Sequence, residues 1–104
     1  IQSEMGRTPH YNKGKGKDHW SIGSIMFMGK GIQGNRVVGA TDEKQFLVPI
    51  DPKSLALDEE KGIRTRPEHI HRALRELAGI EDHAFSKKFP LKIPKEERLQ
   101  GFFG

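Results

Sequence analysis

The sequence has no cysteine, which excludes a disulfide framework and any metal site built on thiolates. That absence leaves the compartment open, because many exported proteins also lack disulfides. No apolar run approaches the roughly 18 residues of a membrane-spanning helix, so no membrane is expected as a partner. Aromatic residues other than phenylalanine are scarce, with one tryptophan (Trp20) and one tyrosine (Tyr11). Negative charge is scarce over the first 36 residues, where Glu4 and Asp18 stand against Arg7, Lys13, Lys15, Lys17, Lys30 and Arg36. The two signs balance from residue 37 onward, so the whole formal charge of +4 arises in the first third. A positive field confined to one segment suggests an anionic partner such as phosphate, sulfate or nucleic acid; the plain alternative is a solvated basic loop.

The chain has 104 residues, 34% of them hydrophobic and 31% charged, which suits one domain or part of one, with a modest core. Twelve glycines and six prolines predict many turns. Ile1-Gln2-Ser3 reads as the tail of a strand that runs into the turn Glu4-Met5-Gly6-Arg7-Thr8-Pro9. A strand needs more residues than that to pair, so upstream sequence is expected to complete it. His10 to Lys17 has no periodicity, and its glycine and asparagine content predicts a mobile loop.

After Trp20, the segment Ser21 to Met28 ends in four consecutive apolar residues and predicts a buried strand covered on both faces. That need for cover favours a layered α/β architecture. Val37-Val38 predicts a short β segment, and Phe46 to Ile50 an edge strand or extended loop because of Pro49. Thr65-Arg66-Pro67-Glu68 has capping-box spacing, and Ile70, Ala73, Leu74 and Leu77 form one stripe, predicting a helix over 66–78. Glu68 with Arg72 and Arg72 with Glu76 are spaced for i,i+4 pairs, and Gly79 for a left-handed cap with Ile80 packing back. His69 and His71 lie about 200° apart around that helix, so they cannot chelate one metal and read as flank residues. Residues 82–104 read as an extended tail whose phenylalanines need a surface to bury against. The sequence shows no internal repeat and no nucleotide-binding glycine fingerprint.

Glu4, Asp18 and His19 are the candidate metal ligands, since carboxylate oxygen and neutral imidazole suit zinc, manganese and similar divalent ions where thiolates are absent. Glu4 follows the first strand, and strand ends are where open α/β sheets place their sites. Arg7 offers a planar fork for two oxygens of a phosphate or sulfate, and Lys17, with Lys13 and Lys15, adds charge beside glycines that allow close backbone approach.

Ser3-Glu4-Met5-Gly6-Arg7-Thr8-Pro9, the basic glycine-containing loop, Asp18-His19-Trp20, Gly29-Lys30-Gly31-Ile32-Gln33-Gly34, Gly39-Ala40-Thr41-Asp42 and the helix end Leu74 to Ile80 follow one another in order. Together they resemble an uncharacterised bacterial sulfatase-like family related to the alkaline phosphatase superfamily. The resemblance covers most of residues 1–80. It implies an α/β fold, with residues 1–104 as the C-terminal portion of one layered domain. It also implies a metal-dependent hydrolase of phosphate or sulfate esters whose nucleophile lies upstream of Ile1, so that the remainder of the same polypeptide is a partner and this chain alone is inactive. Carried over by position, Glu4 falls where the superfamily has the Asp of an Asp-His ligand pair, and Met5 falls where the His stands. His19 resembles a later His ligand, with Asp18 as second ligand or orienting partner. The implied cofactor is a divalent metal (zinc, calcium, magnesium or manganese), the implied ligand an anionic ester, and the implied location periplasmic or secreted. Met5 departs from the pattern, since a thioether is a poor ligand for such cations.

Two readings stand beside this one. In the first, residues 7–36 form a small basic module that grips nucleic acid or another polyanion, with Tyr11, Trp20 and Phe27 as stacking groups. In the second, the fold is kept and the chemistry lost, leaving a binding or assembly protein.

Overall fold

A computed structural model describes residues 1–104. Four two-residue strands come first: β1 (Gly6–Arg7), β2 (His19–Trp20), β3 (Ala40–Thr41) and β4 (Leu47–Val48). Helix α1 (Pro67–Leu77), a short helix α2 (Ala84–Lys88) and a 3-10 turn (Lys95–Glu97) follow. β1 pairs antiparallel with β2, Gly6 opposite Trp20 and Arg7 opposite His19. β3 pairs antiparallel with β4, Ala40 opposite Val48 and Thr41 opposite Leu47. The two sheets are separate, so the layered α/β sheet expected from the sequence is not formed by these strands among themselves. The radius of gyration, 15.5 Å, exceeds the ~13 Å of a compact chain this long, in keeping with a core of few residues.

The core lies from Ile50 onward. Ile50 is its most buried side chain, 1% exposed, because the turn 51–62 folds back over it. The Ile50 and Ile63 backbones exchange both hydrogen bonds (2.9 and 2.8 Å), and Asp58 N–H donates to Pro49 carbonyl (2.9 Å). Gly62 permits this closure: a Cβ there would sit 2.3 Å from the Asp58 carbonyl oxygen and 2.8 Å from the Ile50 nitrogen. The Asp51 carboxylate organises the start of the turn, accepting from Lys53 N–H, Ser54 N–H and the Ser54 hydroxyl. Those bonds, the Ser54 hydroxyl foremost, hold its carboxyl below the ordinary value of 3.8.

Helix α1 falls within the expected 66–78. Ala73 is buried, Ile70 and Leu74 are half-buried, and Leu77 at the far end of the stripe is largely exposed. Its start differs from the expected capping box. Arg66, not Thr65, is the cap residue, and the acceptor at the first turn is His69, whose Nδ1 takes the Arg66 N–H (2.9 Å). His69 is therefore not a flank residue. It is 2% exposed, and its Nε2 lies 2.9 Å from Glu97 Oε2. With Nδ1 accepting, Nε2 carries the proton and donates to Glu97. At the helix end Gly79 is left-handed (φ 67°), Gly79 N–H donates to Glu76 carbonyl and Ile80 N–H to Arg75 carbonyl. That double bond pattern is a Schellman cap. Arg72 pairs with Glu76 (3.4 Å) and Glu81 (3.3 Å) rather than with Glu68.

The tail 82–104 is draped over this body, and it supplies much of the core. Ile93, Leu99 and Phe103 are buried, Gln100 N–H donates to Pro52 carbonyl (2.8 Å), and Gln33 N–H to Phe103 carbonyl (2.7 Å). Arg36 closes the same junction by donating to the carbonyls of Gly101 and Phe102.

The apolar run 25–28 is not a buried strand. It meets backbone partners only at Ile1 and Gln2, so pairing stops after one bridge, Gln2 to Ile25, and one pair of hydrogen bonds between Ile1 and Met26. Met26 and Met28 stay 56% and 72% exposed, while Phe27 packs edge-on to Phe103 at 4.9 Å. Val37, expected in a strand, is 90% exposed, and the strand forms at Ala40–Thr41 instead.

Candidate functional site

The basic segment folds into a hairpin. Gly6 allows it, because a Cβ at that position would stand 2.1 Å from the Ile22 carbonyl oxygen. Beyond β1, Thr8 is buried at 5% exposure and holds the neck of the loop. Its N–H donates to Asp18 carbonyl (3.0 Å), its hydroxyl donates to His10 carbonyl (2.8 Å), and the same hydroxyl accepts from Asp18 N–H (3.2 Å).

Asn12 organises the tip. Its side-chain carbonyl accepts from Gly14 N–H (2.9 Å) and Gly16 N–H (3.1 Å), and its amide donates to Asp18 Oδ1 (2.8 Å). Its backbone adds bonds with Gly16 carbonyl and Lys15 N–H, the latter residue being left-handed at φ 59°. The segment expected to be a mobile loop is thus a hydrogen-bonded turn. The signal for this was in the sequence: an asparagine two and four residues before glycines, with an aspartate six residues on, can bond each in turn.

On this frame Arg7, Lys13, Lys15 and Lys17 are all exposed. The chain's ion pairs all lie between residues 66 and 98, so none of the four is neutralised by a carboxylate within 4 Å. Lys17 Nζ stands 5.1 Å over the Tyr11 ring, a cation–π contact that leaves its charge available. Arg7 and His19 are cross-strand partners, which puts their Cβ atoms about 5 Å apart. A fork of guanidinium donors beside an imidazole, with lysines on the adjoining loop, can surround an oxyanion.

The candidate metal ligands are distributed differently. Asp18 and His19 sit together at the entry to β2, while exposed Glu4 lies in the turn before β1, where the Ser3 hydroxyl donates to Met5 carbonyl. One Asp18 oxygen is already committed to Asn12. No three His, Cys, Asp or Glu side chains come together anywhere in the chain as a set able to hold a metal ion. Glu4, Asp18 and His19 therefore do not make a metal site by themselves.

The aromatics also part company. Trp20 packs on Phe46 (centroids 5.4 Å apart) and donates to Gln45 carbonyl, Phe27 joins Phe102 and Phe103, and Tyr11 alone of the three is largely exposed. A stacking platform of Tyr11, Trp20 and Phe27 is not assembled.

Residues 1–87 match the family described as protein of unknown function (DUF1501). The chain belongs to that family. The hairpin, both sheets and helix α1 lie within the matched residues, and the end of the tail, with Ile93, Leu99 and Phe103, lies outside them. No curated protein and no solved structure matches the chain.

Proposed function

We propose that this DUF1501 chain is a segment of a sulfatase- or phosphatase-like hydrolase of phosphate or sulfate esters, in which the β1–β2 hairpin receives the oxyanion. The observation that carries this reading is the ordered cationic loop: Arg7, Lys13, Lys15 and Lys17 displayed on a turn braced by Thr8, Asn12 and Asp18, with no carboxylate partner for any of them. Arg7 supplies a bidentate fork to two ester oxygens, and Lys17 adds a point charge from the loop. Both interactions strengthen as negative charge builds on the transferring group, which is the condition for lowering the barrier rather than only binding the substrate.

The family resemblance brings a divalent metal and a periplasmic or secreted location into this reading. Glu4, Asp18 and His19 do not form a ligand set for the metal here, so no step is routed through one, and the nucleophile is not assigned to any residue of the chain. No helix is long and apolar enough to cross a membrane.

The test is hydrolysis of 4-nitrophenyl phosphate and 4-nitrophenyl sulfate by the gene product at its encoded length. The expected result is turnover of one of them, with kcat/KM falling about a hundredfold in Arg7→Ala, the scale of losing one charge-stabilising donor. Turnover unchanged in Arg7→Ala, or turnover of neither ester, overturns the reading.

A further inference from the structure

Away from the hairpin tip, a cleft of about 450 Å3 opens between the end of β2, strand β4 and the start of helix α1. Its volume lies in the range of about 300–1,000 Å3 typical of small-molecule sites. Its lining combines the apolar Ile22, Phe46 and Leu47 with Arg64 and Arg66, and no acidic residue borders the space.

Each wall is built. Phe46 is fixed by its backbone, which exchanges hydrogen bonds with Asp42 (2.9 Å to the Oδ1, 2.9 Å from the Asp42 N–H), and by the Trp20 ring against it. Phe46 nevertheless stays 47% exposed and lines the cleft. Arg64 takes part in none of the chain's ion pairs, and Arg66 reaches only Glu97, at 3.8 Å, with half its side chain exposed.

Pro67 has no N–H, and the Arg66 N–H is taken by His69 Nδ1, so the positive charge lining this cleft is that of the two guanidinium groups. Apolar side chains and two arginines lining one cleft suit one class of ligand: a small organic anion with a flat apolar body and a terminal oxyanion. The ring packs on Phe46 and Leu47 while the oxyanion takes the guanidinium donors.

We infer that this cleft is a binding site for such an aryl or similarly apolar organic oxyanion, separate from the hairpin. The inference does not depend on hydrolysis, and its probe is one that cannot be hydrolysed as an ester.

The experiment is a calorimetric and NMR titration of the gene product with 1-naphthalenesulfonate. Saturable binding is expected, with shifts at the Ile22 and Leu47 methyls, and Arg64→Ala is expected to weaken it about tenfold by removing a charge-assisted contact. Arg64 is exposed and makes no ion pair, so that variant is expected to fold; Phe46→Leu, which keeps an apolar side chain but not the ring, is expected to weaken binding as well. Inorganic sulfate, which has the charge without the body, is expected not to displace the probe, and Lys92→Ala, an exposed cation outside the cleft lining, to leave the titration unchanged. Affinity unaltered in Arg64→Ala, displacement by sulfate alone, or probe shifts confined to the hairpin and absent at the Ile22 and Leu47 methyls would each overturn the assignment.

Discussion

The first third of the chain and the second half are held together by different physics. Every buried hydrophobic residue lies at or beyond Ile50, and every ion pair lies beyond residue 65. Within residues 1–36 the single buried residue is Thr8, and shape comes from hydrogen bonds among Thr8, Asn12, Asp18 and the loop backbone. One region is a small apolar core that fixes global stability. The other is a polar scaffold whose net hydrogen-bond contribution is small, on the order of 1 kcal/mol per bond, but whose ordered backbone carries four exposed cations. Substitutions are therefore expected to separate the two: core changes unfold the chain, and hairpin changes disarm it while it stays folded.

The largest effect that would break this contrast is at Ile50. Ile50→Ala removes the most buried side chain of the core and is expected to cost about 3 kcal/mol, read as a lower urea midpoint at unchanged slope. A midpoint that hardly moved would mean that the core is not where the stability lies.

Next comes the clasp between helix α1 and the tail. His69→Ala strips the Arg66 N–H of its acceptor and Glu97 of its donor, and is expected to cost about 2 kcal/mol by the same measurement. Glu97→Gln retains an acceptor for the Nε2 proton and is expected to cost less than half of that.

At the hairpin, Asn12→Ala is expected to cost under about 1 kcal/mol of global stability, since the site is exposed. The same variant is expected to lose hydrogen-exchange protection at the Gly14 and Gly16 amides, whose acceptor is the Asn12 side chain. Global unfolding in Asn12→Ala would erase the distinction between the two regions.

The smallest effect sharpens the comparison from the core side. Asp51 has a folded pKa below its ordinary value of 3.8, so the stability it adds is present above that value and lost as pH falls through the folded pKa. A small stability gap between the protein and Asp51→Asn is therefore expected at pH 6 and expected to close toward pH 2, measured by urea unfolding across that range. A gap that widened with acid would contradict the hydrogen bonds drawn from Ser54 and Lys53.

How much of this was legible in the sequence follows the same division. Helix α1 and its Gly79 cap were readable because a 3.6-residue stripe and a left-handed glycine are local signals. The role of His69 was not, because its partner Glu97 is 28 residues away and a histidine in the first turn carries no capping signature. The tail's share of the core was foreseen only as a need for cover. The run 25–28 departs from expectation because four apolar residues predict burial only where something covers them, and here Phe27 alone of the four is not exposed, packed on Phe102 and Phe103. At the candidate site the identity of the cations was plain from charge counting. Their order is legible only in the spacing of Asn12 to Gly14, Gly16 and Asp18, because the composition of the segment reads as a loop without structure.

The most direct test of the central claim is a backbone-amide NMR titration of the gene product with inorganic phosphate and, separately, sulfate. Saturable shifts are expected, concentrated in residues 7–19 and reduced in Arg7→Ala and in Lys17→Ala, while the amides of helix α1 and the tail stay still. Shifts spread evenly over the surface lysines, or no shifts in the hairpin at all, would contradict that claim.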